Sequence, residues 1–158
     1  MNYWLLKSEP SSFSIDDLRK AKDKTAAWDG VRNYQARNFI RDVMKKGDQA
    51  FFYHSSCDEP GIVGAVTIAR AAYPDTTAFQ KGHHHYDEDS DPSAPRWFMM
   101  DVKLQRAFPR VITLEELRKN ANPKVNGALK DLLILKRGNR LSVTPVTTEQ
   151  WQFILSLL

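Results

Sequence analysis

Between Phe98 and Gln105 the chain alternates: Phe98, Met100, Val102 and Leu104 share one parity, and Met99, Asp101, Lys103 and Gln105 the other. A period of two is the sign of a half-buried strand. Earlier in the chain, Ala36, Phe39, Ile40, Val43 and Met44 recur at helical spacing and predict one buried stripe of an amphipathic helix, with Gly47-Asp48 ending it. Short stretches of both periods confine the fold to a mixed class. Asn2–Lys7, Gln49–Ser55, Gly61–Ala69 and Arg140–Thr144 read as further strands, the last stopped by Pro145. Capping-box spacing at Ser14/Asp17 and Thr113/Glu116 predicts two helix starts. A short helix is expected around Ala128–Leu135, and another from Thr147 or Thr148 that buries Trp151, Ile154, Leu155 and Leu158. The segment Pro74–Pro95 is polar, acidic and rich in turn formers, so it reads as a long loop. Short strands among scattered helices indicate α+β with a small curled sheet, better suited to a partly closed barrel than to a doubly wound sheet.

The length of 158 residues is one domain's worth, and the expectation is a single domain over residues 1–158. Such a chain buries about 69% of its unfolded surface, enough for a core without staples. No apolar run approaches membrane-spanning length, and the first ten residues lack the pattern of a secretory signal, so a cytoplasmic protein with no membrane role is expected. A lone cysteine, Cys57, excludes an internal disulfide and a cysteine zinc site.

Charge is segregated. Arg32, Arg37, Arg41, Lys45 and Lys46 face Asp42 alone, and bases again outnumber acids from Asp101 to Arg140, while acids dominate between. The two readings are a basic face for a phosphate backbone and a solvated surface without a partner.

Phosphate-binding glycine loops, the nucleophile elbow, the H-E-x-x-H metal motif and the zinc deaminase pattern are all absent. His83-His84-His85, followed by acids, reads as a solvated loop rather than a metal site. His54 and Cys57, three apart, lack an orienting partner for nucleophilic catalysis. The informative run is Trp28-Asp29-Gly30-Val31-Arg32-Asn33-Tyr34-Gln35-Ala36-Arg37. A tryptophan in a loop before a helix serves either as core or as an exposed stacking wall. Asn33 serves either as the helix cap or as a base-edge amide.

These residues, with Tyr3–Pro10, Phe52-Tyr53-His54-Ser55, Gly61–Gly64, Pro95-Arg96-Trp97 and Arg140–Pro145, resemble the EVE domain family over nearly the whole chain. The chain looks like a stand-alone bacterial member. The resemblance implies a PUA-like fold: a mixed, mostly closed small β-barrel with surrounding helices. It also implies kinship with domains that read methylated adenine through an aromatic cage, and so a non-enzymatic reader of a modified nucleobase, such as methylated or hydroxymethylated cytosine, in DNA or RNA. No nuclease motif accompanies it. By the same resemblance, Lys7, Ser8 and Glu9 form one wall of the base pocket. Trp28 with Val31, Asn33, Tyr34 and Gln35 forms another, and Tyr53, His54 and Ser55 close it. Trp28 is the first choice for stacking, and Arg32, Arg37, Arg41, Lys45 and Arg140 would hold phosphates. Neither metal nor cofactor is expected, and a monomer is the default state.

The alternative is a small amidohydrolase on a modified nucleoside, as in the ASCH relatives of PUA-like proteins. Lys7 and Glu9, two apart on a strand, would then serve as nucleophile and base. A protein-binding adaptor is the third class.

Overall fold

The computed structural model describes all residues, Met1–Leu158. Six strands form one mixed sheet: β1 (Tyr3–Ser8), β2 (Thr25–Trp28), β3 (Gln49–His54), β4 (Gly61–Pro74), β5 (Phe98–Thr113) and β6 (Val143–Val146), in the order β2-β5-β4-β3-β1-β6. Only β1 and β3 run parallel; the other neighbours are antiparallel. The four helices are α1 (Ile15–Lys20), α2 (Tyr34–Asn38), α3 (Leu114–Ala121) and α4 (Thr148–Ser156). The architecture is α+β and PUA-like, as expected. The sheet is not closed, however: its two edges, β2 and β6, form no ladder with each other.

The apolar run of β1 is buried on both faces. Trp4 and Leu6 join a core with Phe52, Val66, Ile68 and Met100, covered by Leu18 of α1 and by Ala36 and Ile40. Leu5 points to the second core with Phe51, Ile62 and Ile112, covered by Leu117 of α3 and by Trp151 and Ile154 of α4. Along β1, parity assigns each side chain to its layer; along β4, Ile62 and Val66 share parity yet face opposite layers because the register shifts between them. Repeated register shifts between β4 and β5 bend these long strands over the first core. At Gly64 a Cβ would lie 2.3 Å from Ile15 Cδ1 and 2.7 Å from the Arg106 carbonyl, so glycine lets the bent strands and α1 close up.

The caps behave as their chemistry requires. Ser14 and Asp17 make a reciprocal capping box, as do Thr147 and Gln150, and Thr113 accepts from the Glu116 N–H. Several sequence expectations need correction. The helix from Ala36 to Met44 is α2 followed by a π-turn over Phe39–Val43, closed by the Met44 N–H donating to the Phe39 carbonyl at 2.8 Å. The extra residue in that turn rotates Val43 out of the stripe to solvent. Ala128–Leu135 holds only turns and a 3-10 turn at Leu133–Leu135. Pro145 lies inside β6 and pairs with Trp4; β6 is an edge, where a missing N–H is tolerated. Leu155 of α4 and Leu158, beyond its end, are only half-buried. The largest omission is β2, whose Thr-Ala-Ala-Trp sequence carries little strand signal.

Candidate functional site

β1 and β2 end on the same side of the first core, and a cavity of about 420 Å³ opens between their ends. That volume falls in the range of small-molecule sites. Lys7, Ser8 and Glu9 line one side, with Ser12 and Phe13 of the turn that follows β1. Ala27, Trp28 and Asp29 line the other, and His84 and His85 of the 74–97 segment complete the wall.

Trp28 closes β2, paired with Met100, so it is a strand residue rather than a loop residue. It is both core and wall. Only 7% of it is exposed, and its ring meets Phe52 edge-on at 5.3 Å and Phe13 edge-on at 6.2 Å. Part of its surface borders the cavity. Aromatic neighbours in this edge-to-face arrangement fix the plane of the indole.

Lys7 is half-buried and has neither an ion pair nor a side-chain hydrogen bond within the protein. Burial pulls its ammonium below the usual lysine value. An unpaired, partly desolvated cation facing a cavity is a marker of function. The Ser8 hydroxyl donates to the Phe13 carbonyl at 2.7 Å, which shapes the turn while leaving the oxygen free to accept.

The remaining expected pocket residues lie elsewhere. Tyr53 is buried in the second core, where burial raises its phenol above the ordinary value, and with Ser55 it borders a second hollow beside Cys57 and Arg118 that shares only Lys7 with the first. His54 Nε2 accepts from the Ile15 N–H at 3.1 Å, so it anchors α1 and forms no pair with Cys57; burial holds its pKa below the usual histidine value. Val31 is core. Asn33 caps α2, its side-chain oxygen accepting from the Gln35 and Ala36 N–H groups at 2.9 and 3.0 Å, and Gln35 is exposed on that first turn. Tyr34 is 53% exposed and stacks on Trp97 at 4.9 Å, with the Arg37 guanidinium over its ring at 4.9 Å from the centroid. None of Val31, Asn33, Tyr34, Gln35, Tyr53, His54 or Ser55 borders the cavity.

The expected phosphate contacts divide in the same way. Arg32 is tied inward: it donates to the His85 carbonyl at 2.7 Å and pairs with the buried Asp75 at 2.9 Å. Asp75 also accepts from the Gly30 N–H at 2.8 Å and from Thr77. Burial raises its carboxyl, but Thr77, Gly30 and Arg32 together hold it below the ordinary value. Arg32 therefore fastens the His85 wall to the Gly30 turn. Arg37 donates to the Arg96 carbonyl at 2.7 Å beside the exposed Tyr34. Arg41 pairs with its neighbour Asp42. The N–H groups of Lys45 and Asn2 both donate to the Asp48 carboxylate, which places Lys45 at the far end of β1. With about 3.3 Å of rise per residue, that end lies on the order of 15 Å from Lys7. Arg140 is exposed, two residues before Ser142, whose carbonyl accepts from the Lys7 N–H; it is thus on the cavity side.

Sequence reasoning passed over Asp29, His84 and His85 as wall residues. The signal available was Gly30: with φ +81°, it has the His85 ring where a Cβ would stand. Asp29 Oδ2 lies 3.6 Å from His85 Nδ1, just beyond hydrogen-bond distance, and that Nδ1 is the one buried side-chain polar atom without a partner. Burial holds the His85 imidazole below its usual pKa against the opposing pull of Asp29. His83, His84 and His85 bring their ring nitrogens within 4.8 Å of one another, but His83 Nδ1 accepts from the His85 N–H.

The EVE domain family profile matches residues 2–157. Thymocyte nuclear protein 1 of Mus musculus is 51% identical, aligned over 99% of this chain and 73% of its own length. A structure of the human THYN1 protein in complex with 5-methylcytosine-containing DNA superposes with a TM-score of 0.93 at 46% identity, covering 99% of this chain and 97% of the other. A Pseudomonas putida protein of known structure superposes with a TM-score of 0.89 at 48% identity, covering 98% of both chains. No helix of this chain is long and apolar enough to cross a membrane. On the whole-length match and these identities, the chain belongs to the EVE domain family.

Proposed function

We propose that the chain is a non-enzymatic reader of 5-methylcytosine in DNA, taking one extruded base into the cavity beside Trp28. The observation that carries this is the 46% identity and near-complete superposition with a human protein whose structure holds 5-methylcytosine-containing DNA. The cavity supports it independently with an aromatic wall, an unpaired cation and side-chain acceptors in a space of suitable size.

The energetics set what the pocket must do. A buried methyl group contributes about 0.8 kcal/mol, roughly fourfold in affinity. Stacking adds about 1–3 kcal/mol whatever the modification, and extrusion from a duplex costs a few kcal/mol. Phosphate contacts must offset that cost, so binding falls with salt. Arg37 and Arg140 are the cations we assign to that task.

The test is a titration of fluorescent oligonucleotides, single-stranded and duplex, DNA and RNA, that differ only by one cytosine methyl group. Wild type should favour methylated DNA, and Trp28→Phe, which keeps an aromatic core residue, should weaken every oligonucleotide. Equal affinity for methylated and plain DNA would overturn the reading.

One observation favours a second reading. The lowered lysine pKa of Lys7 and the carboxylate of Glu9 border the same cavity, as a hydrolase of modified nucleosides would require. Saturable turnover of acylated or methylated nucleosides, lost in Glu9→Gln, would decide for it.

A further inference from the structure

We propose that Asp29 is the residue that identifies the base as a cytosine, its carboxylate accepting from the exocyclic amine while His85 holds it in place. The proposal rests on the reading of the cavity as a pocket for 5-methylcytosine and names the group that sets its specificity.

The chemistry poses the problem. 5-Methylcytosine and thymine carry the same methyl group at the same carbon, so neither stacking on Trp28 nor methyl burial separates them. They differ at position 4, where cytosine has an amine donor and thymine a carbonyl acceptor. A reader that ignores thymine needs an acceptor fixed in the wall of its pocket. A carboxylate offers only acceptors, so it attracts the amine and repels the carbonyl.

Two carboxylates border the cavity, Glu9 and Asp29. Glu9 is an exposed residue of a turn. Asp29 directly follows Trp28 at the end of β2, and its side chain is 34% exposed. Neither of its oxygens accepts a hydrogen bond from the protein; the ionisable group beside it is His85, whose Nδ1 lies 3.6 Å away, itself buried and unpartnered. The backbone of His85 is in turn fixed by Arg32. An unfilled carboxylate acceptor beside an unpartnered ring nitrogen, slightly more than bonding distance away, is a site incomplete without its ligand. Lys7 across the cavity supplies a donor for the cytosine carbonyl, completing a pattern that matches cytosine and opposes thymine at position 4.

The experiment measures wild type, Asp29→Asn, Asp29→Glu, His85→Ala and His85→Gln against single-stranded oligonucleotides carrying one 5-methylcytosine, cytosine or thymine at the same position. Wild type should prefer 5-methylcytosine over thymine by about tenfold or more. Asp29→Asn, whose amide donates to the thymine carbonyl, should bring that ratio to within about twofold of unity. Asp29→Glu, which displaces the carboxylate by one methylene, should lower it too and serves if the Asn variant fails to fold. His85→Ala should reduce the ratio and His85→Gln, which keeps a donor, should restore part of it. An unchanged 5-methylcytosine-to-thymine ratio in the Asp29 variants, or no such preference in wild type, overturns the assignment. Wild type that binds cytosine and 5-methylcytosine equally, but both over thymine, supports Asp29 while overturning the methyl reading.

Discussion

The imidazole of His85 rests so closely against Gly30 that a Cβ built there would lie 2.4 Å from both its Cε1 and Nε2. Gly30 also has φ +81°, a conformation that costs any other residue about 1 kcal/mol or more. Gly30→Ala should therefore lower stability by about 1–2 kcal/mol in a denaturant titration and push the ring away from Asp29. Affinity for methylated DNA should fall more than this loss of stability accounts for, because the wall itself has moved.

Asp75 is fully buried and receives Arg32, the Gly30 N–H and Thr77. Removing it in Asp75→Ala leaves a guanidinium and an N–H without their partner, at a cost of about 3 kcal/mol. The sign of its pH dependence follows from its lowered pKa. Its contribution is complete above the ordinary carboxylate value of about 3.9 and is lost as pH falls through the lower folded value. Wild type should lose stability across that acid window, and Asp75→Ala should show a flatter profile there.

Lys7 should trade stability for binding. Burial disfavours its charge and no acid compensates, so Lys7→Met should raise the thermal midpoint slightly while lowering affinity for all oligonucleotides. If affinity is unchanged, Lys7 touches neither base nor phosphate.

Position separates the half-buried Arg37 from the exposed Arg41 of the basic segment. Arg37 sits by Tyr34 and Arg96, whereas Arg41 pairs with Asp42 on the π-turn, whose Phe39 and Val43 border a hollow at the far end of β1. Arg37→Ala should reduce the slope of log affinity against log salt by about one. Arg41→Ala should leave that slope nearly unchanged and alter stability by less than about 0.5 kcal/mol.

Much of the scaffold was legible because local chemistry and tertiary demand agree. The stripe Ala36, Ile40 and Met44 is buried as its spacing predicts, and Ser14, Asn33 and Thr113 cap where their side chains direct. What escaped depended on partners remote in sequence. β2 exists through its ladder with β5, not through its own propensity. Arg32 and its neighbours in the basic run look alike by composition, yet a buried acid more than forty residues away claims Arg32. Of the residues assigned to the pocket, Lys7, Ser8, Glu9 and Trp28 meet in one cavity, because strand ends carry them there. Parity keeps Tyr53 out of that cavity: alternate residues of β3 serve opposite layers, and Phe52, not Tyr53, faces the Trp28 side.

Because the indole is sewn into a ladder and braced by Phe13 and Phe52, that wall cannot swing to meet a guest. On the proposed reading, the bending, unpairing and rotation that bring a base to this wall fall to the nucleic acid. Sites already loosened, at mismatches, gaps or unwound tracts, should be visited first, so the state of the double helix would select the target before its chemistry is read.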